Sequence, residues 1–126
     1  MVICPGFNDA AERLARAAFM AVSFDFPGAP MLRDLEIVMA ALMRGEWRVV
    51  PSALGLLGYA TGGAIAVQRA ATDTQIRALV TWGGSPDVVS AGRVRAPWLI
   101  VQDAQDERAF ELALNATVDW FAKHLA

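Results

Sequence analysis

The chain has 126 residues, of which 56% are apolar and 19% charged, with a formal net charge of −2. That length fits a single domain over 1–126 with one sizeable core. The interspersed charges give no basic footprint for nucleic acid. Arg, Asp or Gly interrupts each apolar run before the roughly 18 residues that a membrane span needs. The sequence begins almost directly in a strand, with no basic and apolar leader ahead of it.

Cys4 is the only cysteine and His124 the only histidine, so an internal disulfide and a zinc site built on soft ligands are both excluded. A lone cysteine fits a reducing compartment, and the expectation is a cytoplasmic protein. Many alanines and arginines beside a single lysine point to a GC-rich bacterial source.

In chain order, Val2-Ile3-Cys4 is a short strand stopped by Pro5-Gly6. Asp9 precedes a run of strong helix formers, Ala10 to Ala18. Ala21 to Phe26 reads as a second strand ended by Pro27-Gly28-Ala29-Pro30. Leu32, Leu35, Met39, Leu42 and Met43 recur at helical spacing, so 31–44 is predicted to be an amphipathic helix with Gly45 as its C′ cap. Ala53 to Tyr59 is a continuous apolar strand, and helical material resumes from Thr61 to Ala71. Ile76 to Trp82 is a fourth strand, closed by Gly83-Gly84-Ser85-Pro86. A short helix over 87–92 and a fifth strand, Trp98 to Val101, follow. In the last segment Phe110, Leu114, Val118, Phe121 and Leu125 form one helical stripe.

This alternation predicts an α/β fold: a three-layer αβα sandwich with a five-stranded parallel sheet and right-handed crossovers. In such sheets ligands bind beyond the carboxyl ends of the strands, so the chemistry is sought in loops 4–9, 25–30, 58–63, 83–87 and 102–107. The most informative of these is Gly58-Tyr59-Ala60-Thr61-Gly62-Gly63, between a strong strand and a strong helix. Small residues at 58 and 62 permit a sharp strand-to-helix turn, with residue 60 held at its tip. They also permit close helix–sheet packing alone, and spacing does not separate the two readings.

The segment resembles the nucleophile elbow Gly-Tyr-Ser-x-Gly-Gly of α/β-hydrolases, with Ala60 at the serine position. Val2 to Phe7 is similar to the family strand whose loop gives the first oxyanion donor, and Ser23 to Gly28 to its Asp-x-x-Gly turn. Asp34 matches an acidic residue early in the next helix. Pro97 to Asp106 is similar to the strand ending in Gly-x-x-Asp, with Asp106 at the acid position, and Val118 to Leu125 to the closing helix. The esterase and dienelactone-hydrolase branches are the nearest in pattern. The resemblance implies a minimal core that keeps the family's third to seventh strands, in the order 2-1-3-4-5 of this chain's own strands. Open sheet edges would then invite a homodimer.

The catalytic set that the resemblance implies is incomplete. Ala60 has no heteroatom, so an acyl-enzyme cannot form on it. His124 lies on the last helix, about 25 Å of helix away from residue 108, and on the side leading back from the site. What survives is an oxyanion-type pocket from the Thr61 N–H and the loop near Phe7, suited to a small carboxylate or acyl ligand. Asp25, Asp103 and Asp106 share the carboxyl edge and read either as a Mg²⁺ site or as solvated and capping aspartates; no metal or cofactor is assigned. Cys4, Tyr59, Trp82 and Trp98 fit core packing. The expectation is therefore a serine-hydrolase-like pseudoenzyme, with a small-molecule or anion-binding or oligomerising module as the alternative.

Overall fold

The computed structural model describes residues 2–3, 7–22, 31–45, 53–84, 86–102 and 105–125. Ten elements alternate along it: β1 (Val2–Ile3), α1 (Asn8–Arg16), β2 (Ala21–Val22), α2 (Met31–Met43), β3 (Leu54–Tyr59), α3 (Thr61–Thr72), β4 (Ile76–Trp82), α4 (Val88–Arg93), β5 (Trp98–Val101) and α5 (Glu107–Leu125). All strand pairs are parallel, and the order across the sheet is β2-β1-β3-β4-β5.

The expected five-stranded sheet needs correction. Its regular part is three-stranded: β3 has six residues, β4 seven and β5 four, whereas among the described residues β1, beside β3, and β2, beside β1, are two-residue segments. The uninterrupted apolar runs of β3 and β4 sustain a ladder from Leu54↔Ile76 to Tyr59↔Trp82. Among the described residues, β1 pairs through Val2 and Ile3. The remainder of the expected second strand, 23–26, and Cys4 lie outside the described residues.

Alternation along the central strands splits the core into two clusters. Leu57, Ala78, Val80 and Trp82 face α1 and α5, where Ala10, Leu14, Leu114 and Phe121 meet them. Leu54, Leu56, Ile76 and Leu79 face α2 and α3, against Leu35, Met39, Leu42, Ala66 and Val67. The α5 stripe reaches deepest at Phe121: a Cβ on Gly55 would lie 2.7 Å from its Cε1. Arg13 of α1 holds α5 from outside, pairing with Glu111 and donating to Asn115 Oδ1 at 2.7 Å.

Helix ends differ locally from the sequence expectation. Asp9 lies in the first turn of α1, and the N-cap position falls on Phe7, whose side chain makes no capping bond. Burial decides this, because the Phe7 ring is only 5% exposed. Gly45, at φ +76°, follows α2 and donates its N–H to Leu42 O at 3.0 Å. Asp87 caps α4 by accepting from the Ser90 N–H at 2.7 Å, and that bond holds its carboxyl below the usual aspartate range.

Phe121→Ala should destabilise the chain by about 3–5 kcal/mol through lost burial and the cavity left over Gly55, measured by urea unfolding. The Asp87 cap should persist above the ordinary aspartate pKa and be lost as pH falls through the lowered folded value. The Asp87 carboxyl signal in an NMR titration should therefore have its midpoint below that of an unstructured aspartate.

Candidate functional site

Ala60 stands between the last residue of β3 and the first of α3, with φ +54° and ψ −122°. A side chain at positive φ with that ψ is strained by about 1–3 kcal/mol, so surrounding structure must hold it. Three features do so. Its N–H donates to Trp82 O at 2.8 Å, tying the turn to β4. Its carbonyl accepts from Gly63 N at 2.9 Å, closing the first turn of α3. Its flanks are also stripped of side chains where backbones converge: a Cβ at Gly58 would sit 2.6 Å from Gly62 O and from Gly63 Cα, and one at Gly84 2.6 Å from Ala60 O.

This is a sharp, strained strand-to-helix turn with a methyl group at its tip, the local geometry that the sequence resemblance leads one to expect. Thr61 opens α3 and is exposed, so its N–H sits at the positive end of the helix. Phe7 packs its ring against Tyr59 at 4.5 Å and against Trp82 at 4.9 Å, which brings the end of the β1 loop to the elbow. Phe110 of α5 stacks edge-on against Trp82 at 5.3 Å.

Beside the turn lies a pocket of about 270 Å³, walled by Ala60, Tyr59, Trp82, Phe110, Gln102 and Gln105, with Gly83, Gly84 and Val101 completing it. Among the described residues no carboxylate or imidazole lines it. Asp106, the residue at the acid position, caps α5: its Oδ1 accepts from Ala109 N–H at 2.7 Å and its carbonyl from Phe110 N–H at 2.9 Å. His124 lines a different cavity together with Ile76, at the start of β4, and Pro97, just before β5, which is the opposite edge of the sheet from Ala60. Its ring packs on Trp120 at 4.4 Å. Asp34 lies in the first turn of α2. Cys4, Asp25 and Asp103 lie outside the described residues, and no metal-binding cluster occurs among the described ones.

Two parts of the site carried no recognisable signal in the sequence. Gln102 and Gln105 supply polar wall groups from a loop that spacing singles out only for its aspartates. Thr117 is fully buried on α5 and accepts from Trp82 Nε1 at 3.1 Å while donating to Ala113 O at 2.8 Å, so it orients the indole behind the elbow. A threonine in an apolar stripe gives no hint of that partnership.

No protein-family model and no curated protein matches the chain. Among solved structures it is similar to an esterase domain from a Rhodothermus marinus protein, with TM-score 0.57 and 18% identity over 93% of this chain and 69% of that one. At that identity the likeness defines the class of fold, an esterase-like α/β fold. No helix among the described residues is long and apolar enough to cross a membrane.

Ala60→Gly should raise stability by about 1 kcal/mol, because glycine relieves the positive φ although it usually costs stability elsewhere. Urea unfolding checks the sign, and a loss of stability would place Ala60 in ordinary backbone geometry.

Proposed function

We propose that this chain is an α/β-hydrolase-fold protein related to esterases and dienelactone hydrolases and without hydrolytic activity, a pseudoenzyme. One observation carries the reading: Ala60 occupies the strained tip of the elbow, so the geometry of a nucleophile turn is kept around a side chain that cannot attack a carbonyl. Acyl transfer also needs a base within hydrogen-bond reach of the nucleophile. His124 lines the cavity at the far edge of the sheet, and Asp106 spends its carboxylate on a helix cap.

The retained function is binding of a small carboxylate or acyl compound in the elbow pocket. Support comes from the roughly 270 Å³ of space against Ala60, the residue before Thr61, and from Gln102 and Gln105 in a wall that is otherwise mainly aromatic and glycine-rich, although Thr61 and Phe7 are not among its described wall residues. Homodimerisation is the companion reading: among the described residues β5 pairs only with β4, and Ile100 on it is 52% exposed. The lone cysteine and the even charge balance support a cytoplasmic setting and a role without nucleic acid.

Ala60→Ser tests the reading. The variant should hydrolyse p-nitrophenyl acetate no faster than the parent chain does, because no base serves the new hydroxyl. Turnover in the ordinary enzyme range of about 1 s⁻¹ or more would show that a working base exists and would sink the proposal. Titration of the parent chain with acetate and butyrate should shift the amide signals of Thr61, Gly83 and Gly84, and unmoved signals would remove the binding reading.

A further inference from the structure

A second cavity, of about 630 Å³, opens at the amino edge of the sheet, away from the elbow. Its volume is in the range of small-molecule sites. Its wall draws Arg77 from β4, Arg93 from the end of α4, Arg95 from the loop before β5, and His124 from the end of α5. Among the described residues Asp73 is its only acidic wall residue, and that carboxylate is already held by Arg69 at 3.0 Å. Among the described residues Arg77, Arg93 and Arg95 have no ion-pair partner. Three uncommitted guanidiniums thus face one cavity in a chain whose net charge is −2.

Helix ends account for part of this concentration. The C-termini of α3, α4 and α5 all reach this cavity, and a cation in a last turn is stabilised by the helix dipole, as Arg93 is. Arg77 lies on a strand and Arg95 just beyond the α4 cap, so neither is a last-turn cation, and the three full positive charges outweigh three helix ends of roughly half a negative charge each. Their convergence has a different use. The His124 ring adds a polar group whose buried Nε2 has no hydrogen-bond partner.

We propose that this cavity binds a phosphoryl dianion, either inorganic phosphate or the phosphate of a small monoester. Guanidinium forks match phosphate oxygens in pairs, and several of them offset a dianion better than one lysine could. The site does not rest on the elbow reading, since its residues lie on other loops at the other edge.

The test uses the fact that His124 is the only histidine, so its imidazole signals report on this cavity alone. Inorganic phosphate and ribose 5-phosphate are titrated into the intact chain at constant pH and ionic strength, with ribose and sodium chloride as controls. The His124 signals should move saturably in the millimolar range or below, with Gly83 and Gly84 unmoved. Tighter binding of ribose 5-phosphate assigns the site to a monoester, and equal binding assigns it to free phosphate. Arg77→Gln/Arg95→Gln, checked for folding by circular dichroism, should weaken binding by about tenfold or more. Arg93→Gln provides a second, single-residue variant that should weaken it in the same direction. No saturable shift, an equal shift with ribose or chloride, or affinity unchanged in both variants overturns the proposal.

Discussion

At the centre of the molecule the backbone leaves β3, reverses at Ala60 and enters α3 within a space that admits no side chain on the flanks. Gly58 lies against the backbone of Gly62 and Gly63, and Gly84 against the carbonyl of Ala60. The Ala60 N–H bond to Trp82 O fixes this turn to β4, so the strained residue, the central strand pair and the first turn of α3 form one unit. Strain of this kind persists only where the surroundings over-determine it. The pocket walls follow from that unit: Trp82 and Gly83-Gly84 end β4 beside the turn, and Tyr59 ends β3.

The two faces of the sheet serve that unit differently. Gly63 and Ala66 let α3 approach closely: a Cβ on Gly63 would lie 2.9 Å from Gly83 O, and one on Gly58 2.8 Å from Ala66 Cβ. On the other face α5 brings Phe110 to the pocket and Thr117 to the Trp82 indole, while its Asp106 cap fixes where that helix begins. The aspartate after the last strand is thereby a structural group, the cap of α5. The turn thus carries a methyl group at its tip, beside pocket walls and an exposed helix N-terminus.

Much of this was legible in the sequence, and unevenly so. β4 and β5 were readable residue for residue because their apolar runs are bounded by Gly or Pro, and α5 because its stripe keeps one period. The turn at Ala60 was visible as small residues around a strand–helix junction, though spacing alone left packing as a rival explanation. Val2 and Ile3 of the expected first strand find ladder partners on both sides, and its third residue, Cys4, lies outside the described residues. The helix-forming run read from Ala10 onward starts two residues earlier, at Asn8, directly behind the buried Phe7. The pocket amides, the Trp82–Thr117 bond and the arginine-lined cavity depend on contacts distant in sequence. No local pattern encodes them.

The account turns on one backbone angle. A positive φ brings an amide proton close to the α-proton of its own residue, which gives a strong intraresidue NOE that helical and extended residues lack. In solution, among the described non-glycine residues, Ala60 and Ala18 should show that signal, as their φ values of +54° and +68° require. A weak intraresidue NOE at Ala60, with chemical shifts of ordinary helix or strand, would contradict the account. The residue would then be an unstrained link between β3 and α3, and the elbow would not exist.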